Sequence, residues 1–450
     1  MGKYFGTDGF RGKVGVDITP IHAFKIGKFI GWYLKNNKVD KRYKNARVLV
    51  GKDTRLSGDL LAFSLISGLI STGANVYYLG ETSTPCVGYL VKKRKLDMAI
   101  MVTASHNPYK DNGLKILNNL GEKTGEDLTL LIEKYLDGTD YQFIDNFYYD
   151  VGRVYDFKSA IDDYANHLKN LALPLNSLTI VLDTANGGAY DIARKVFSCL
   201  NAKVIYVANK PNGVNINQKC GATYALNLQK EVKKHRADIG FSFDGDADRC
   251  ICVLSDGKIL DGDAILYILA TYYKKQGLLN KSKIVSTVMS NVGLKKSLFK
   301  AGITLTETKV GDIFVYKKLK EQKLNLGGES AGHIIFPDIS PSGDGLATAI
   351  KLLNVFISDY AFSCALQNYA VYPQITINIP VANKNKIISS IALKNKVEEV
   401  SSKLGNGRVL VRASGTESVI RVTAESLFKP DCIWAVNEIE KVVLFENSLN

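Results

Sequence analysis

No apolar run in this sequence reaches the roughly 20 residues that a membrane-spanning helix needs. The longest, Leu60 to Ile70, has 11 residues and is broken by Ser64, Ser67 and Gly68, so it predicts a buried helix. The opening Met1-Gly2-Lys3-Tyr4-Phe5-Gly6 lacks the apolar core of a signal peptide, and Gly6 stands where a myristoylation signal wants Ser or Thr. These absences predict a soluble cytoplasmic protein without a membrane partner. Cysteine is sparse too: seven residues, of which the closest two, Cys250 and Cys252, are separated by one residue. That spacing fits neither a zinc knuckle nor a redox CxxC motif, and an odd total argues against a disulfide framework. Basic runs are short, the longest being Lys92-Lys93-Arg94-Lys95, although 58 basic against 44 acidic residues give a charge of +14. Without a nucleic-acid-binding motif, the dispersed lysines read first as a solvated surface and second as attraction for small anions.

What is present is enough for several domains. Hydrophobic residues make up 46% of the chain, which excludes wholesale disorder, and 450 residues exceed what one core serves. A weak threefold repeat runs along the sequence. Gly73–Gly80 opens a block that closes with Asp97–Thr103. Asn201–Val207 opens another, closing with Asp238–Phe243, and Ala301–Thr306 a third, closing with Leu324–Leu326. Each block is a β-rich run, a helix-like stretch and a second β-rich run, the signature of parallel strands with crossover helices. The last eighty residues break the pattern, with Tyr372–Ile379, Arg408–Arg412 and Ile420–Ala424 reading as strands around a helical stretch. The expected fold class is α/β: three tandem mixed α/β domains (1–150, 151–253 and 254–367) sharing a cleft, and a C-terminal α+β capping domain (368–450).

A polar loop follows the closing run of each block: Ala104-Ser105-His106-Asn107-Pro108, Asp244-Gly245-Asp246-Ala247-Asp248-Arg249, and Gly327-Gly328-Glu329-Ser330-Ala331-Gly332-His333. Ligands of α/β sheets bind outside the carboxyl ends of strands. Asp244, Asp246 and Asp248, at alternate positions, present three carboxylates on one side of an extended chain, ready to surround a hard divalent cation. An EF-hand is excluded, because its sixth position is Arg249 rather than Gly and its twelfth is Ser255 rather than Glu. An acidic turn without an ion is the bland alternative. Mg²⁺ is the better fit, since it accepts a few carboxylates and leaves room for a phosphate oxygen.

Ser105 alone reads as a turn or cap, and no GxSxG elbow supports a Ser-His hydrolase. A phosphorylated Ser105, carrying about −1.5 to −2 charges, would use the aspartate loop and its metal together. Arg412-Ala413-Ser414-Gly415-Thr416-Glu417 makes an anion nest at a strand end, with Arg421 as a second cation, or else a plain turn. Glu329 is a natural acceptor for sugar hydroxyls or an amine, and His333 is either a donor to sugar or phosphate or a satisfied core histidine.

Taken in order, these motifs resemble the α-D-phosphohexomutase superfamily over essentially the whole chain, and within it the bacterial phosphoglucosamine mutase subfamily. Tyr4-Phe5-Gly6-Thr7-Asp8-Gly9-Phe10-Arg11-Gly12 is similar to the opening of that subfamily. So are Ser105-His106-Asn107-Pro108-Tyr109 with Asp111-Asn112-Gly113-Leu114-Lys115, and the paired glycines before Glu329. The resemblance implies interconversion of glucosamine 6-phosphate and glucosamine 1-phosphate, toward UDP-N-acetylglucosamine and the cell wall. By that likeness Ser105 is the phosphoserine and, with Asp244, Asp246 and Asp248, holds one Mg²⁺. Arg11, Lys115, Arg249 and His333 line the reaction centre. Glu329 and Ser330 contact the sugar, and Arg412, Ser414, Gly415, Thr416 and Arg421 take the distal phosphate. A 1,6-bisphosphate is implied as intermediate and activator. Lys115 is the expected proton carrier, its pKa lowered by neighbouring cations, with His333 next. The implied partner is a small phosphosugar, and the implied state a monomer or homodimer.

The chain departs from the subfamily in places. Ser330-Ala331 stands where Gln-Ser is usual, so the hydroxyl expected at 331 is missing. Ile313 replaces an arginine after Val310-Gly311-Asp312, and Ser418 replaces a proline. The alternatives are a phosphoglucomutase or phosphomannomutase of the same superfamily, or a phosphosugar-binding relative without activity.

Overall fold

The threefold repeat is present as three sheets with one shared strand order, in a computed structural model that describes residues 2–6, 8–37, 39–138, 151–175, 177–414 and 418–449. In the first sheet Asp111–Asn118, Met98–Val102, Arg47–Lys52 and Asn75–Glu81 lie side by side. In the second, Cys250–Leu254, Ile239–Phe243, Thr179–Asp183 and Lys203–Val207 follow the same order, and in the third Ile334–Ile335, Gly327–Gly328, Lys283–Thr287 and Thr304–Thr308 do so. The last three strands of each set are parallel, as the sequence blocks predict. The first strand of each set is an antiparallel return that the block pattern did not show. An antiparallel neighbour can be reached by a short loop, whereas a parallel one requires a long crossover. Each polar loop is therefore tied to a sheet at both ends.

Central strands such as Val48-Leu49-Val50 and Met98–Val102 are buried throughout, and read as unbroken apolar runs because helices cover both faces. The run Leu60–Ile70 lies in the helix Gly58–Ser71, which buries Leu61, Leu65, Ile66 and Leu69 but leaves Leu60 and Phe63 about half exposed. It packs on the helix Pro20–Asn37 through two glycines. A Cβ on Gly68 would collide with the Phe24 carbonyl, and one on Gly27 with the Leu65 carbonyl, so the backbones touch only because both side chains are missing.

The chain divides into two compact units: Met1–Val288 with Thr304–Ala365, and Met289–Ile303 with Leu366–Asn450. The second is the predicted α+β arrangement. Strands Gln374–Pro380, Val419–Glu425 and Arg408–Ala413 form an antiparallel sheet. Helices Ile391–Leu404 and Lys429–Ser448 bury Val400, Ile439 and Val443 in one core with Ile420 and Val422. This unit also takes in the helix Val292–Lys300 from the middle of the sequence. The Val292 amide donates to Glu425 Oε2 at 2.8 Å, and Asn291 Nδ2 donates to the Tyr372 carbonyl at 3.0 Å. Among the described residues, no single helix is long and apolar enough to cross a membrane.

Candidate active site

The first unit brings its three loops together. The serine loop lies between strands Met98–Val102 and Asp111–Asn118, the aspartate loop between Ile239–Phe243 and Cys250–Leu254, and the glutamate–histidine loop between Gly327–Gly328 and Ile334–Ile335. Ser105 is fully buried and donates its Oγ hydrogen to Asp244 Oδ2 at 2.6 Å. Its backbone is left-handed, with φ of +50°, an uncommon state for a residue with a side chain.

The aspartate loop is a turn rather than the extended chain predicted from its spacing, because Ala247 takes φ of +58° and reverses it. The three carboxylates still converge: all are buried, and one oxygen from each lies within 4.8 Å of the others. Asp246 divides its oxygens. Oδ2 accepts from Thr84 Oγ1 at 2.5 Å and from Lys115 Nζ at 2.6 Å, while Oδ1 is buried with no hydrogen-bond partner among the described residues. A converging carboxylate set with one orphaned oxygen suits a hard divalent cation. These residues fit the metal that the sequence predicts.

Lys115 lies at the centre of the cation–carboxylate cluster. Its Nζ donates to Asp246 Oδ2 and to Asp248 Oδ2 at 2.8 Å, with Asp8 Oδ1 3.6 Å away. Burial works against its charge, but Asp246, Asp248 and Asp8 outweigh it and hold the ammonium well above its ordinary range. The expectation of a lowered pKa therefore does not hold in this arrangement: carboxylates, not cations, dominate around Lys115. Arg11 pairs with Asp8, and the Arg249 amide donates to Asp244 Oδ1 at 3.2 Å. His333 bridges two loops, with Nε2 on Asp248 Oδ1 and Nδ1 on Glu329 Oε2, both at 2.9 Å. Burial alone would lower the pKa of this imidazole, yet Asp248 and Glu329 raise it to about 10. Glu329 Oε1 accepts from the Gly311 amide at 3.0 Å, which fixes the carboxylate beside the Val310-Gly311-Asp312-Ile313 segment. Ser330 contributes its carbonyl, accepting from the Gly262 amide at 2.9 Å.

Sequence reasoning missed several members. Asp8 and Asp312 are joined by Lys123, whose Nζ lies 2.5 and 2.7 Å from them, so a lysine supplies a cation next to the position where the subfamily arginine is replaced by Ile313. Thr84, Arg55 and Asn217 also hold the reaction loops. Arg55 follows the strand Arg47–Lys52 directly, so the rule that located the other loops could have found it. Asn217 gives no such signal.

In the second unit Arg412 and Arg421 stand directly opposite on paired strands. Burial and then the facing Arg421 guanidinium lower the pKa of Arg412. The Ser414 carbonyl accepts from Lys384 Nζ at 2.6 Å, adding a third cation that the sequence reading did not name. Gly415 and Thr416 lie outside the described residues.

Three α/β/α layers in tandem, each offering one loop at the carboxyl end of a strand, and a separate small α+β unit define the phosphohexomutase class of fold. Comparisons with known proteins agree. Phosphoglucomutase/phosphomannomutase alpha/beta/alpha domains I, II and III match residues 2–143, 162–257 and 261–365, and the C-terminal domain of that family matches 377–427. The phosphoglucosamine mutase of Lachnospira eligens is 42% identical, over 98% of both chains. That of Streptococcus pyogenes is 41% identical, over 99% of both. Among solved structures, a phosphoglucomutase/phosphomannomutase family protein from Burkholderia thailandensis shares the fold with a TM-score of 0.81 at 24% identity, covering 98% of this chain and 97% of that one. Aspergillus fumigatus N-acetylphosphoglucosamine mutase, crystallised with GlcNAc-6P and magnesium, does so with a TM-score of 0.68 at 17% identity, covering 99% and 96%. The chain belongs to the phosphoglucosamine mutases, a family of isomerases with four domains.

Proposed function

We propose that this protein is a cytoplasmic, Mg²⁺-dependent enzyme that interconverts glucosamine 6-phosphate and glucosamine 1-phosphate, with Ser105 as its phosphoryl carrier. The observation that carries the reading is the 2.6 Å hydrogen bond from Ser105 to Asp244 inside a buried carboxylate cluster. A serine hydroxyl used as a turn or cap has no need of three buried aspartates.

Asp244, Asp246 and Asp248, with an oxygen on phosphorylated Ser105, would hold the cation. When bound, Mg²⁺ neutralises charge on the transferring group. The rest falls to the side chains of this chain, since phosphoryl transfer depends mostly on positioning and electrostatic stabilisation. In the first half-reaction the bond from phosphorus to the Ser105 oxygen breaks as one to the free sugar hydroxyl forms, giving a 1,6-bisphosphate. Lys115 protonates the departing Ser105 oxygen and takes the proton back when Ser105 attacks the other phosphate. Glu329 takes the proton of the sugar hydroxyl and gives one back in the second half-reaction, while His333, an imidazolium between Glu329 and Asp248, holds that carboxylate in place. Arg11 and Arg249 steady the charge on the transferring group. Glu329 reads the sugar, with Ser330 beside it. Arg412, Ser414, Gly415, Thr416 and Arg421 take the phosphate that does not react.

Intact-mass measurement tests the carrier: the purified protein gains one phosphate from added hexose 1,6-bisphosphate and Mg²⁺, and Ser105→Ala gains none. Coupled assays on glucosamine, glucose and mannose 6-phosphates test the sugar. Faster turnover of glucose or mannose phosphate would refute the amino-sugar assignment, and labelling of Ser105→Ala would refute the carrier.

A further inference from the structure

Every polar group of the Ser105 peptide is held from outside the catalytic loops. Its amide donates to Thr103 Oγ1 at 2.9 Å, and Thr103 Oγ1 donates to Asp53 Oδ2 at 2.7 Å. Its carbonyl accepts twice at 2.8 Å, from Arg55 Nη2 and from Asn217 Nδ2. The same two side chains also share the next carbonyl but one: Asn107 O lies 2.9 Å from Arg55 Nη2 and 3.2 Å from Asn217 Nδ2.

Arg55 is 1% exposed, and each of its guanidinium nitrogens is used. Nη1 donates to the carbonyls of Pro108 at 2.5 Å and Asp111 at 3.0 Å, and Nε donates to Asp53 at 2.9 Å. Burying a guanidinium is costly unless every donor is matched, and a rigid planar fork can match four carbonyls where a lysine ammonium cannot. Asn217 approaches the same carbonyls from the chain that carries the second sheet, and its own amide is pinned to Ala185 O at 2.9 Å. The serine loop is thus gripped on both sides at the residue whose backbone is left-handed.

We propose that Arg55 and Asn217 are positioning residues, which together lock Ser105 in its left-handed conformation and so turn its hydroxyl onto Asp244. The proposal rests on Ser105 being the phosphoryl carrier. Neither residue touches substrate; both act through the Ser105 backbone.

The test uses Arg55→Lys and Asn217→Ala in the full chain. It reads kcat and KM for glucosamine 6-phosphate, the thermal midpoint, and the rate at which glucose 1,6-bisphosphate phosphorylates Ser105 by intact mass. A misplacement near 1 Å costs about 100-fold in rate, so Arg55→Lys is expected to lose kcat and labelling rate together by about 100-fold, and Asn217→Ala by about tenfold, with KM within about twofold. A merely structural role would lower the thermal midpoint but leave kcat and labelling rate intact at low temperature, and that result overturns the proposal. If Arg55→Lys does not fold, Asn217→Ala decides: labelling at the wild-type rate overturns the inference. Failure of the carrier reading looks different, because then the wild-type protein itself takes no phosphate on Ser105.

Discussion

Gly245 is where the aspartate loop meets the serine loop, and Gly245→Ala is the most economical probe of how closely they must meet. A Cβ at this position would lie 2.5 Å from the Ser105 carbonyl oxygen and 2.9 Å from both Asn217 Nδ2 and Ile216 Cδ1. The Ile216 methyl can swing aside, but the carbonyl is backbone and is held by Arg55. Gly245 cannot retreat either, because its own carbonyl accepts from the Gly188 amide at 2.8 Å. Ordinary contact starts at 3.4 Å, so the loops must part by about 0.9 Å. Overpacking of this kind costs about 1–3 kcal/mol of stability, and a misplacement near 1 Å costs about 100-fold in kcat. Steady-state kinetics and thermal denaturation in the same buffer check both numbers. Gly125→Ala, where a Cβ meets nothing within 4 Å, is the control and is expected to leave kcat unchanged. If Gly245→Ala turns over within about threefold of wild type, the loops tolerate separation and the geometric reasoning is wrong.

Other outcomes follow from the same structure. Burial raises the pKa of Asp344 from 3.8 to about 6, although it caps the helix Gly345–Phe356 through the Ala347 amide and accepts from Tyr164. A carboxyl with a raised folded-state pKa adds stability at low pH and loses it as pH climbs from about 4 to about 6, roughly 2–3 kcal/mol for this rise. Asp344→Asn keeps an N-cap and should flatten that part of the denaturation-versus-pH profile; an unchanged slope would refute it. Mg²⁺ should raise the thermal midpoint of the wild-type protein, by about 2.7 kcal/mol of stabilisation at 100 times Kd. Asp246→Asn should abolish most of that rise, and a full shift in the variant would place the ion elsewhere. Arg412→Gln removes one of two facing cations, so KM for sugar phosphate should rise about tenfold or more with a smaller change in kcat. A normal KM would exclude Arg412 from phosphate binding.

The loops were legible because each interrupts a run of strand residues with residues that no core would accept. The parallel α/β character of the three sheets was legible from the blocks, but their central strands Arg47–Lys52, Thr179–Asp183 and Lys283–Thr287 and their return strands were not: Asp111–Asn118 carries Lys115 on a strand that no block contains. The carboxylate spacing led to the right cluster by a wrong geometry, since a left-handed Ala247, and not an extended chain, brings the oxygens together. The charge state of Lys115 was misjudged because it depends on Asp8, Asp246 and Asp248. Each lies more than a hundred residues from Lys115 along the chain, and they meet it only on folding. Asn217 is an ordinary loop asparagine until folding brings the carbonyls of Ser105 and Asn107 within reach of its side-chain amide.

The C-terminal unit draws the helix Val292–Lys300 from the middle of the sequence, and this has a consequence for how the protein is made. On the ribosome that helix emerges first, and its partners Tyr372, Arg408 and Glu425 emerge only after Thr304–Ala365 has been synthesised. At about 5–20 residues per second the delay is roughly 3–12 s. Throughout that interval the hydrogen bonds of Asn291 to Tyr372 and of Val292 to Glu425, which hold the start of the helix, cannot form. The nascent chain thus carries a newly made helix of mixed leucines and lysines that must wait for the last fifth of the message, a natural point of engagement for a chaperone.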